Sequence, residues 1–230
     1  TAYVDTVLGE SEYVKTFFES FRPMDTVIGT PLFSDHTARF LKDVLSTDSV
    51  TRTRAMEQSD EATFNNQSLP ALMAALDKIP SSTAYADIRS MLLRKFATIK
   101  APAALPFLEK QYYAAGDTSQ YQFAILKSLG DMKRNDAALL FKKLITNEPP
   151  LSDDMDDVYE IFYPFYDTLQ LTKLIYPDIM DLVIIPEYKH EVYTMLGELL
   201  DSGLVKPSLY RDKKRLILSE AKLELRRENG

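Results

Sequence analysis

The chain contains no cysteine, which removes disulfide frameworks, thiolate nucleophiles and cysteine-ligated zinc together. Histidine is nearly as scarce: only His36 and His190 are present, and they do not stand at the spacing of a two-histidine zinc motif. The seven glycines never cluster, so the sequence holds no phosphate-cradling loop. Neither a GxSxG elbow nor a supported Ser-x-x-Lys constellation occurs, so no activated nucleophile is signalled. Apolar runs are short and broken by charges, below the roughly 20 residues that a membrane-spanning helix requires. No membrane span and no cofactor are expected.

Excess positive charge is also missing. The net charge is -7 and the pI about 5.0, which argues against a surface that tracks phosphates, because such a surface needs clustered Lys and Arg. A nucleic-acid partner is therefore not expected. The charge is uneven: residues 204–230 carry eight cations against four acids, a net +4, leaving -11 on the remainder. The chain begins at Thr1 with neither Met nor a signal-like apolar segment, which reads as a processed product or as part of a longer protein. Cytoplasm and bacterial envelope fit the composition equally.

What is present is helical patterning. Hydrophobic residues make up 45% of 230 residues, enough for a sizeable core. The core of the pattern lies at 87–145, where Ala103-Ala104-Leu105 matches Ala137-Ala138-Leu139 at an offset of 34 and Ile99 matches Met132 at 33. An earlier copy starts at Leu69-Pro70-Ala71-Leu72, which parallels Leu105-Pro106-Phe107-Leu108 at an offset of 36. Self-similarity at this period marks units that cannot bury an apolar face alone and must stack. Within the units, Ile88, Met91 or Leu92, Phe96 and Ile99 share one helix face. So do Tyr121, Ile125, Leu129 and Met132, with Ala137, Ala138, Phe141, Leu144 and Ile145 facing them from a partner helix opened by Asn135.

The flanks are less regular. Residues 1–67 form an N-terminal portion with a short helix over SEYVKTFFESF, a second over HTARFLKDVL capped by Ser34 or Asp35, and a polar loop at 46–67 with little core-forming material and room for one exposed helix. Residues 68–148 hold the hairpins. After Asn147-Glu148-Pro149-Pro150, residues 149–230 open on an acidic stretch whose Asp153, Asp154, Asp156 and Asp157 suit a helix first turn. Short helices broken at Pro164, Pro177 and Pro186 follow, with Gly203 as a C′ residue. In a last helix over about 208–227, Leu216, Ile217, Leu218, Ala221, Leu223 and Leu225 form a stripe that closes the array.

The run Ala124-Ile125-Leu126-Lys127-Ser128-Leu129-Gly130-Asp131 followed by Asn135-Asp136-Ala137-Ala138-Leu139-Leu140 resembles the hairpin of a HEAT or armadillo-type repeat over residues 68–146. The resemblance implies an all-α, irregular α-solenoid of helical hairpins forming one continuous domain. That superfamily hosts adaptors, scaffolds and a few enzymes, so it implies a fold more than a function. The stretch Pro164–Tyr210, through Pro164-Phe165-Tyr166-Asp167, Tyr176-Pro177-Asp178 and Asp201-Ser202-Gly203-Leu204, resembles the helical C-terminal part of long TraB/GumN-type bacterial proteins. The Gly-x-x-His motif of that family's proposed metal-dependent peptidase core is absent, so any such chemistry would belong to a different part of the parent protein.

Two groups of residues are candidates for function. Tyr159, Tyr163 and Tyr166, with Tyr112, Tyr113 and Tyr121 upstream, are either core or the lining of a groove for a protein or peptide, since Tyr offers rigid contact area and a polar tip. Glu187 and His190 stand i, i+3 beside Glu191, the spacing used in di-metal bundles, but no second Glu-x-x-His completes such a site. The expected function is a non-catalytic protein- or peptide-binding scaffold module inside a larger bacterial protein. The alternatives are an accessory domain of a metal-dependent hydrolase, or an enzyme using Glu187 and His190.

Overall fold

The structure, a computed structural model, describes residues 12–20, 36–80, 83–116 and 118–228. It is all-α: no β-strand occurs among the described residues, and none of their helices is long and apolar enough to cross a membrane. Residues 1–35 and 36–230 form two compact units. Of the first, α1 (Glu12–Ser20) is described, with Phe17 and Phe18 exposed and in edge-on ring contact. The expected caps Ser34 and Asp35, like Phe21, lie outside the described residues.

The second unit begins with α2 (Thr37–Val44) and α3 (Ser49–Glu57). The stretch 46–67, expected to be a loop carrying one exposed helix, holds that helix as α3, in which Ala55 alone is buried. Asp48 caps it by accepting from the Thr51 amide at 2.9 Å, and Ala55, Ala62 and Phe64 are buried. A few small or isolated apolar side chains suffice here because the neighbouring α2 supplies Phe40, Leu41 and Val44. Three further helices, α4 (Leu69–Lys78), α5 (Ala86–Arg94) and α6 (Ala104–Ala114), precede the most buried pair, α7 (Ser119–Asp131) and α8 (Asn135–Asn147). Then come α9 (Met155–Tyr166), α10 (Leu169–Ile175), a 3₁₀ segment at Asp178–Ile184, α11 (Pro186–Asp201) and α12 (Lys214–Glu228).

Packing follows two rows. Helices α5, α7, α9 and α11 lie side by side, each against the next. Behind them α8 packs on α6, on α10 and on the 178–184 segment, and α7 joins the rows through α6 and α8. Polar links recur at similar separations in the chain, between α5 and α7, between α6 and α8, and between the segments that precede them. The Thr98 hydroxyl donates to the Phe64 carbonyl at 2.9 Å, the Lys100 amide to Asn66 Oδ1 at 2.8 Å and Lys143 to Glu109 at 2.5 Å, all 34 residues apart. Arg134 reaches the Lys100 carbonyl at the same separation, and Gln120 reaches Asp87 at 33.

The Glu148-Pro149-Pro150 link between α8 and α9 is held from both sides. No helix follows it until Met155, so its carbonyls have no helical N–H to accept from and need partners from elsewhere. The Tyr112 hydroxyl donates to the Glu148 carbonyl at 2.5 Å and the Tyr188 hydroxyl to the Pro150 carbonyl at 2.6 Å.

Proline placement differs in one respect from the sequence expectation. Pro164 lies inside α9 and does not end it, because it falls in the last turn and its ring is buried against α7. Pro177 follows α10 and Pro186 opens α11 as expected. Gly203, at φ +69, follows the α11 C-cap Ser202 in the left-handed conformation that glycine adopts without strain. At the start of α8 the N-cap position is Arg134, with Asn135 already helical. In α12 only the first turn behaves as the expected closing stripe: Leu216 and Ile217 pack on the core, whereas Leu218, Leu223 and Leu225 are exposed.

Candidate functional site

The face of α9 turned to solvent carries two of the six tyrosine candidates, Tyr159 and Tyr163. Its N-terminus is built from acids: Asp154 accepts from the Asp156 amide at 2.9 Å, and Ser152 donates to Asp157 at 2.6 Å. Asp156 and Asp157 occupy the first turn, where the helix dipole favours negative charge. Asp153 precedes the cap and lies outside the helix.

From there, Val158, Ile161, Phe162 and Phe165 turn inward. Phe162 and Phe165 meet Phe141 of α8 at ring-centroid distances of 5.8 and 4.7 Å, which fixes the roll of α9. That roll sends the opposite positions outward. Met155, Tyr159 and Tyr163 are 60%, 45% and 47% exposed at intervals of four residues, and Leu151, before the helix, is exposed as well. The rings of Tyr159 and Tyr163 touch at 5.7 Å, and Tyr166 stands 6.5 Å from Tyr159.

Neighbouring helices shape this face. Arg94 of α5 approaches Glu160 of α9 to 3.8 Å, so these two helices meet across α7. Most of α7 is buried, including the unbroken run Tyr121–Leu126, and it forms the floor between them. Lys127 of α7 places its ammonium 5.7 Å from the Tyr163 ring centroid and 3.4 Å from Asp131. On the far side, the half-buried Tyr166 donates its hydroxyl to Glu191 of α11 at 2.5 Å. Burial first, and then the Glu191 carboxylate, push the Tyr166 hydroxyl well above its ordinary range, so it stays a donor.

Three of the six candidate tyrosines are thus brought together: Tyr159, Tyr163 and Tyr166. The others are separate. Tyr112 is fully buried and Tyr121 nearly so, the latter beneath Arg89, whose guanidinium lies 5.3 Å from its ring. Tyr113 is exposed, but on α6 in the other row. Sequence reasoning missed Leu151 and Met155. Met155 had a signal in the four-residue spacing that places it in line with Tyr159 and Tyr163, whereas Leu151 lies before the helix and had none.

The Glu187, His190 and Glu191 group does not converge on a metal position. His190 is 74% exposed in its side chain and 3.9 Å from Glu191, whose other oxygen is engaged by Tyr166. Among the described residues, no group of three or more His, Asp or Glu side chains is arranged to hold a metal ion. A cleft of about 940 Å³ opens between α11 and α12 and is lined by Ile184, Lys189, His190, Tyr193, Ile217 and Ala221 among others. No protein-family model, curated protein or solved structure matches the chain.

Proposed function

We propose that residues 36–230 form an irregular α-solenoid of HEAT-like hairpins whose role is to bind a protein or peptide, without catalysis, on the outward face of α9. The two-row packing and the polar links recurring 33 to 34 residues apart support the solenoid reading, since stacked units of equal length place equivalent side chains against one another. The observation that carries the binding role is the line Met155, Tyr159 and Tyr163. Met155, Tyr159 and Tyr163 lie exposed in one row, with the exposed Leu151 just before the helix, whereas single exposed hydrophobics are ordinary and need no explanation. Tyrosines at such a place offer rigid contact area with little entropy to lose.

A peptide-display selection on the intact chain tests this reading. Enriched sequences should lose binding to a Tyr159→Ala/Tyr163→Ala variant that melts like the parent. Enrichment indifferent to those two side chains, or none at all, would remove α9 as the binding face.

A further inference from the structure

The partner's chemistry can be taken further, and this step rests on the binding role of α9. Residues 151–167 contain six acids, Asp153, Asp154, Asp156, Asp157, Glu160 and Asp167, and no Lys or Arg. The cations that approach come from other elements and are spent locally: Arg94 on Glu160, Lys127 on Asp131, Lys133 on Asp167. Asp153 and Asp156 stay exposed, with no ion pair among the described residues. The apolar line is therefore bordered by uncompensated negative charge.

We propose that the occupant of this face is a cationic amphipathic peptide segment, with apolar side chains on the line from Met155 to Tyr163 and Arg or Lys side chains toward Asp153 and Asp156. Three observations favour that chemistry. An acidic rim repels anionic partners and steers cationic ones. The Tyr163 ring already takes a cation in Lys127, and the neighbouring Tyr159 ring offers the same attraction to a partner's guanidinium. From Met155 to Tyr163 the line runs about 12 Å along the helix, the reach of roughly two turns of a docked helix.

The test uses the intact chain and three fluorescently labelled 15-residue peptides with the same leucines. In one the remaining positions are Arg and Lys, in the second Gln and Ser, in the third Glu. The basic peptide should bind, with affinity falling as salt rises, and the acidic one should not. Tyr159→Ala/Tyr163→Ala should weaken the basic peptide about tenfold or more. Asp153→Asn/Asp156→Asn should weaken it severalfold and flatten its salt dependence. A charge-matched control far along the chain, Glu57→Gln/Glu61→Gln, should leave it unchanged. If the control loses as much as the Asp pair, or if the basic peptide fails to bind, the inference is overturned. Equal, tyrosine-dependent binding of the Gln/Ser peptide would overturn the cationic partner and keep the binding role of α9. Basic-peptide binding indifferent to Tyr159 and Tyr163 would overturn both.

Discussion

Gly130, in the last turn of α7, lies directly against Pro164 of α9: a Cβ at Gly130 would stand 3.1 Å from Pro164 Cγ and 3.4 Å from the Phe165 ring. Two helices of one row approach here as closely as a missing side chain and a flat ring allow. Gly130→Ala should destabilise the protein, because overpacking at about 1–3 kcal/mol outweighs the roughly 1 kcal/mol that alanine gains over glycine in a helix. Chemical denaturation measures it. Adding Pro164→Ala should recover part of the loss, and strictly additive effects would show that the two residues do not press on each other.

Phe141 joins the two rows through its contacts with Phe162 and Phe165. It is fully buried, so Phe141→Ala removes apolar contact and leaves a cavity. The expected cost is about 3–5 kcal/mol, read as a lower denaturation midpoint. Because Phe141 also sets the roll of α9, the variant should weaken any ligand of the Tyr159–Tyr163 face without touching it.

Tyr112→Phe and Tyr188→Phe each keep the ring and delete the hydroxyl that meets a carbonyl of the Glu148–Pro150 link. Each should cost about 0.5–1.5 kcal/mol, the ordinary net worth of a hydrogen bond, or more where the carbonyl stays dry. Amide exchange should report it as faster opening around the end of α8 and the start of α9. Unchanged exchange there would mean that the link is held by other contacts.

Alkaline pH should unfold the protein before it ionises the buried tyrosines. Burial pushes the hydroxyls of Tyr112, Tyr166, Tyr176 and Tyr188 far above their ordinary value of 10.0 in the folded state. The unfolded chain then releases those protons first, so stability is intact below the unfolded value near 10 and falls as pH rises past it. Absorbance at about 295 nm, where tyrosinate absorbs, should show one group of the 13 tyrosines ionising reversibly and a second only with loss of helical circular dichroism. A single smooth titration of all of them would contradict the burial.

Local chemistry made much of the fold legible. Apolar positions three and four apart announced the helices and the buried faces of α7 and α8, and both Gly203 and Pro186 stand where their backbone preferences predict. The 34-residue offset seen between alanine-leucine runs equals the separation at which Thr98 meets Phe64 and Lys100 meets Asn66. Less legible were α3, whose core contribution depends on α2 beside it, and Pro164, whose place inside a helix depends on Gly130.

The tyrosines mark the boundary between the two kinds of information. Sequence spacing determined that this chain is helical, acidic and rich in aromatics around residues 159–166, because those properties belong to single residues and to one helix's periodicity. It could not say that Tyr112 and Tyr121 are interior while Tyr159 and Tyr163 face water. Periodicity fixes which side chains share a face, whereas the neighbour that covers the face is set by packing across rows. Only the tertiary structure, by seating Phe162 and Phe165 on Phe141, decided which side of α9 was left open.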